Sequence, residues 1–210
     1  MALFQKKTVP ISIPMYTLGH QETKLIVGLG NIGKKYDGSR HNFGFAVIDT
    51  FATDQAFNVW IEKKDLQAIM CAKIIDGKKV ILAKPTTFMN ESGRAVRAIM
   101  NFYKLRPEDI CIVYDELALP LGTLRTARSG SDAGNNGIKS VKTHIPDDFW
   151  RIRLGIGPKL PEQMDTADFV LQSFKKTELH LVGAVKNEAI NLVDEWLSGH
   201  SQPQTRKLQL

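Results

Sequence analysis

His41 is the side chain in this sequence best suited to take a proton from water near neutral pH, because an unperturbed imidazole titrates close to that range. It lies beyond a short apolar run at residues 24–27 and just ahead of Phe43, Val47 and Phe51, which recur at helical spacing with Asn42 read as the N-cap. Asp115 closes a second apolar run, residues 110–114, and a carboxylate there can hold one ring nitrogen so that the other faces water. Asn31 follows the first strand, Asn90 lies between a strand and a helix, and Asn136 opens a helix. Such amides donate and accept without carrying charge, which suits gripping a peptide-like carbonyl and steadying a developing oxyanion. The sequence has no G-x-S-x-G elbow and no H-E-x-x-H pair, so a covalent nucleophile or a catalytic metal lacks candidate residues and water is the expected nucleophile. His20, His144, His180 and His200 sit in terminal segments or on helices and read as structural or solvated.

A competing pattern overlaps this region. Gly28, Gly30 and Gly33 spell G-x-G-x-x-G, and Asp49 lies downstream. In a dinucleotide fold the helix begins inside the glycine motif and the acidic residue ends the next strand. Here residues 34–40 intervene and Asp49 falls within the helical pattern, which argues against a nucleotide site.

The elements that must position these residues alternate between strand and helix. Residues 68–75 and 79–83 form a hairpin around Asp76-Gly77-Lys78, and Ala95, Val96, Ile99 and Met100 follow in helical register. A glycine- and serine-rich loop precedes a short helix at 138–144; a strand at 150–156 and a long amphipathic helix at 177–197 complete the pattern. The alternation predicts an α/β fold with a single twisted mixed sheet, mostly parallel, flanked by helices. Sites in such sheets lie outside the carboxyl ends of strands, where Asn31, Asn90, Asp115, Asn136 and His41 are expected to converge.

The 210 residues are expected to divide into an N-terminal extension at 1–23, flexible and unlike a signal or transit peptide, one domain at 24–199, and a loose tail at 200–210. No apolar run is long enough to span a bilayer. A net charge of +6 favours an anionic partner. Cys71 and Cys111 lie in apolar strand-like runs without C-x-x-C spacing, as expected of packed thiols in a reducing compartment.

The segments KLIVGLGNIGKKYDGSRHNFGF, KPTTFMNESGRAV, YDELALPLG, SGSDAGNNGIKS and RIRLGIG, in that order, resemble the motifs of the bacterial-type peptidyl-tRNA hydrolase family. The resemblance implies hydrolysis of the ester joining a peptide to the terminal ribose of tRNA, without metal or organic cofactor, by a cytoplasmic monomer. It implies that His41 is the catalytic base and Asp115 its orienting carboxylate, that Asn31, Asn90 and Asn136 position substrate and water, and that Tyr36 and Met89 line the peptide channel. Arg125, Lys139, Lys142 and Arg153 are the matching basic positions for tRNA phosphates. The chain departs from the pattern at Ile32, where proline is usual, at Asn135, where histidine is usual, and at Ala118, which replaces an acidic residue; Asp132 adds a negative charge to the glycine loop. Two alternatives remain: a non-catalytic RNA-binding protein like the organellar splicing factors that resemble these hydrolases, and a small-molecule hydrolase or nucleotide-binding domain using the same crevice.

Overall fold

The computed structural model describes residues 22–159 and 161–208, so nearly all of the expected extension at 1–23 lies outside the described residues. In chain order, β1 (Thr23–Gly28) leads through two 3-10 turns into α1 (Phe43–Asp54), followed by β2 (Ile61–Lys63), β3 (Ala68–Ile75), β4 (Lys78–Pro85) and α2 (Ser92–Tyr103). Then come β5 (Ile110–Pro120), β6 (Thr123–Arg128), α3 (Asn136–His144), β7 (Trp150–Gly157), α4 (Thr166–Leu171), α5 (Leu179–Leu197) and β8 (Gln204–Lys207).

The strands make one eight-stranded mixed sheet in the order β2-β3-β4-β1-β5-β7-β6-β8. The four central strands, β4, β1, β5 and β7, are parallel. Both flanks are antiparallel: the expected hairpin with β2 on one side, and β6 with β8 on the other. Residues 204–207, expected to be loose, pair instead with β6. A polar edge strand carries no apolar period to announce it; Arg206 fixes it by pairing with Glu188 and Glu195 of α5.

Strands β1 and β5 are buried on both faces, which explains their unbroken apolar sequence. Ile26, Cys111 and Val113 point into one layer with Phe43, Val47 and Phe51 of α1 and Val185 and Val193 of α5. Leu25, Val27, Ile112 and Tyr114 point into the other, against Val96 and Ile99 of α2 and Ile138 and Val141 of α3. Continuing this alternation sends Asp115 toward the α1 layer and Glu116 toward the α3 layer.

Two glycines let α1 approach the sheet closely enough to matter for the site. A Cβ on Gly44 would lie 2.3 Å from the Val113 carbonyl oxygen and 2.7 Å from the Leu29 nitrogen, and one on Gly28 would lie 2.5 Å from the Gly44 carbonyl oxygen. These are backbone contacts that cannot yield by side-chain rotation. Gly28 and Gly30 of the G-x-G-x-x-G pattern therefore serve packing, while Gly33 meets nothing within 4 Å and takes a positive φ of 114°; α1 starts well after them, and Asp49 is an α1 residue paired with Lys84 at 2.6 Å.

Gly44→Ala is expected to destabilise the protein by about 1–3 kcal/mol through forced separation of α1 from the sheet. Gly183→Ala in the middle of α5, where an added Cβ meets nothing within 4 Å, should stabilise by about 1 kcal/mol. Urea or thermal unfolding of the two variants measures both signs.

Candidate active site

At the carboxyl end of β1 the chain turns away from the sheet, and Asn31 is fixed there by three hydrogen bonds. Its backbone N–H donates to Asn42 Oδ1 (2.8 Å), its carbonyl accepts from Asn42 Nδ2 (3.0 Å), and its side-chain Oδ1 accepts from the Met89 backbone N–H (2.9 Å). A backbone N–H can only donate, so the Asn31 side-chain oxygen is consumed and its NH₂ is left as the free donor. Asn42 occupies the N-cap position of α1 as expected, but its side chain makes no capping bond. It reaches back to Asn31 instead, across Gly30, where a Cβ would lie 2.9 Å from Asn42 Oδ1.

His41 lies in the 3-10 turn Arg40–Asn42 immediately before α1. Its Nδ1 is 2.9 Å and 3.0 Å from the two carboxylate oxygens of Asp115. An ionised carboxylate only accepts, so Nδ1 carries the proton and Nε2, on the far side of the ring, keeps its lone pair. Burial disfavours the charged imidazolium, but the charge of Asp115 and its hydrogen bond outweigh this and raise the His41 pKa above its ordinary value of 6.5. Asp115 does not end its strand as expected. β5 continues to Pro120, and Asp115 and Glu116 still pair with Leu154 and Gly155 of β7.

His41, Asp115, Asn31, Asn90, Asn136, Tyr36 and Met89 all line one cavity of about 860 Å³. Phe88, Leu117 and residues 165–167, 170 and 171 at and before α4 supply further walls. Nothing in the sequence around α4 marks that helix as a wall, since the segment follows two prolines and mixes polar and apolar residues without a clear period. Glu116 also lines the cavity; it is 2 % exposed and its Oε2 has no hydrogen-bond partner. Burial, partly offset by the Ala118 N–H and the charge of Arg153, raises its pKa.

Three of the four departures from the family pattern touch neither His41 nor Asp115. Ile32 is exposed, Ala118 is exposed and offers only its backbone N–H to Glu116, and Asp132 closes a turn by accepting from the Gly134 N–H. Asn135 is different: its Oδ1 caps α3 and its Nδ2 donates to the Asp115 carbonyl at 3.0 Å.

None of the four basic positions lines the cavity. Arg125 and Arg153 sit opposite each other on β6 and β7, and like charges in that arrangement repel unless an anion lies between them. Arg125 is exposed, with Nε donating to Thr205 Oγ1; Lys139 is exposed on α3. Lys142 is already engaged, donating to the Gly130 carbonyl at 2.7 Å and pairing with Asp147 at 3.1 Å. Among the described residues, no group of three or more His, Cys, Asp or Glu side chains is arranged to hold a metal ion.

The model of the peptidyl-tRNA hydrolase family matches residues 25–209 of the chain. A peptidyl-tRNA hydrolase of Fusobacterium nucleatum is 44% identical over 176 residues, covering 83% of this chain and 90% of that protein. One from Synechocystis is 47% identical over 160 residues, covering 76% and 81%. The crystal structure of peptidyl-tRNA hydrolase from Acinetobacter baumannii superposes with a TM-score of 0.78 at 33% identity, covering 86% of this chain and 91% of that one. On the match along most of its length, and on the agreement in fold, the chain belongs to the peptidyl-tRNA hydrolase family.

Proposed function

We propose that this chain hydrolyses the ester between peptide and tRNA in peptidyl-tRNA, with His41 as the general base and Asp115 as the carboxylate that orients it. The observation that carries the reading is the Nδ1 contact of His41 with Asp115, at 2.9 and 3.0 Å, on the wall of the cavity that Asn31, Asn90 and Asn136 also line. His41 Nε2 takes a proton from water, and the water oxygen bonds to the ester carbonyl carbon. Amide N–H groups, with Asn31 Nδ2 already freed for the task, stabilise the oxyanion. Collapse breaks the bond to the ribose oxygen, and the proton held on Nε2 passes to that oxygen, releasing peptide acid and tRNA.

Tyr36 and Met89 face the same cavity and suit a peptide-channel role. Arg125, Arg153 and Lys139 are proposed to hold tRNA phosphates, with Lys142 contributing less because its ammonium already serves Gly130 and Asp147. Action as a monomer is part of the same proposal. The buried free thiols Cys71, raised by burial to a pKa of about 12, and Cys111, also raised, fit a reducing cytoplasm.

Incubation with a peptidyl-tRNA tests the reading: the parent should release free tRNA, and His41→Ala should lose about a hundred- to ten-thousand-fold in rate while keeping its fold. Binding of tRNA without cleavage by the parent would instead support the non-catalytic RNA-binding alternative. The general base must be neutral, so activity should fall on acidification through the raised His41 pKa, placing the acidic limb above pH 6.5; a limb below that value would contradict the role given to Asp115.

The affinity for tRNA should fall steeply with salt, and Arg125→Ala or Lys139→Ala should each reduce the slope of log K against log salt by about 1. A salt-independent affinity would remove these side chains from the binding surface.

A further inference from the structure

We propose that Asn135 is a positioning residue for the site: one side chain ties the strand carrying Asp115 to the helix start that presents Asn136. This rests on the reaction proposed above and adds a residue to it. The orientation of the Asn135 amide is fixed by its neighbours. Its Oδ1 accepts from the backbone N–H groups of Gly137 (3.0 Å) and Ile138 (3.1 Å). Two donors converge on that atom, so it must be the oxygen, and the NH₂ therefore faces the other way. There Nδ2 donates to the Asp115 carbonyl at 3.0 Å and approaches the Asp115 carboxylate at 3.5 Å. Asn135 is 9% exposed and lines the cavity.

The position of this side chain in the chain gives the contact its consequence. Residues 129–134 form a largely exposed loop that also brings Ala133 and Gly134 to the cavity. Its first half is held by Arg151, whose Nη1 donates to the carbonyls of Gly130 (2.9 Å) and Ser131 (3.1 Å). Its far end is held by Asn135. The carboxylate that orients His41 and the amide of Asn136 are thereby referenced to one another through a single buried link.

The charge environment favours a neutral residue here. Asp115 already has Glu116 beside it on β5, and Asp165 lines the same cavity ahead of α4. Arg153 and Arg125 act on Glu116 from its own face of the sheet, the one away from Asp115, and His41 is the cation-forming group that faces Asp115. A carboxylate at position 135 would add a fourth acid to Asp115, Glu116 and Asp165 of the cavity.

Two substitutions separate positioning from helix capping. Asn135→Asp keeps an oxygen for the cap, removes the donor to Asp115 and adds negative charge; Asn135→Ser keeps a cap oxygen, replaces the amide NH₂ that reaches Asp115 by a hydroxyl on a shorter side chain, and adds no charge. Both are expected to melt close to the parent and to lose about ten- to a hundredfold in kcat with a much smaller change in KM. In Asn135→Asp the acidic limb of the pH profile should also move to higher pH, because the added carboxylate favours the imidazolium. Parent-like kcat and pH profile in both variants would show that Asn135 only caps α3 and would overturn the proposal. The His41 ring can be followed by NMR titration without substrate. If the parent failed to cleave peptidyl-tRNA, an upward shift of that titration in Asn135→Asp would still support the link to Asp115, and an unchanged titration would refute it.

Discussion

The contact between His41 and the buried carboxylate of Asp115 is the constraint on which the rest of the site depends. A carboxylate that is 2 % exposed is costly to hold unless hydrogen bonds replace its water. His41 and Asn135 supply them from opposite sides of the sheet end. His41 is in turn carried on a 3-10 turn, whose place is set by its neighbours. Arg40 is buried between the rings of Phe169 and Phe174 and pairs with Glu178 at 2.7 Å, while α1 begins two residues after His41 and sits tightly on the sheet through Gly28 and Gly44. The dyad is therefore a joint between β5 and α1, and its geometry inherits the rigidity of the core beneath it.

The same logic governs the amides. Asn31 has no freedom to flip, because the Met89 N–H claims its oxygen and Asn42 clasps its backbone. Donors fixed in this way before substrate arrives need not reorganise as charge develops, which is the main source of electrostatic stabilisation in acyl-transfer sites. Glu116 is the exception on this wall: a buried carboxyl with one oxygen unpartnered, its pKa raised by burial against the opposing charges of Arg153 and Arg125.

Much of this was legible from residue order. An α/β alternation brings strand ends together, so His41 and Asp115, 74 positions apart, could be expected in one crevice together with the three asparagines. Periodicity reported less about what backbone pairing decides. β5 runs past Asp115 because it keeps pairing with β7, and β8 exists because β6 has an edge to fill; neither needs an apolar side chain. Adjacent asparagines were equally ambiguous. Nothing in the order Asn135-Asn136 tells which one caps α3, and only the geometry gives the cap to Asn135. Asn42 stood at the expected helix start, but the missing Cβ of Gly30 opened a path to Asn31 that a capping rule does not contain. Lys142 shows the limit for surface charges: its long side chain found partners within the protein.

The account turns on Asp115 fixing both the tautomer and the basicity of His41, and nitrogen-detected NMR titration of the His41 ring measures this directly. In the parent protein Nδ1 should carry the proton and the ring should titrate above its ordinary value of 6.5, and in Asp115→Asn the titration should move down because burial is then unopposed. A parent ring protonated on Nε2, or a titration that Asp115→Asn leaves where it was, would contradict it.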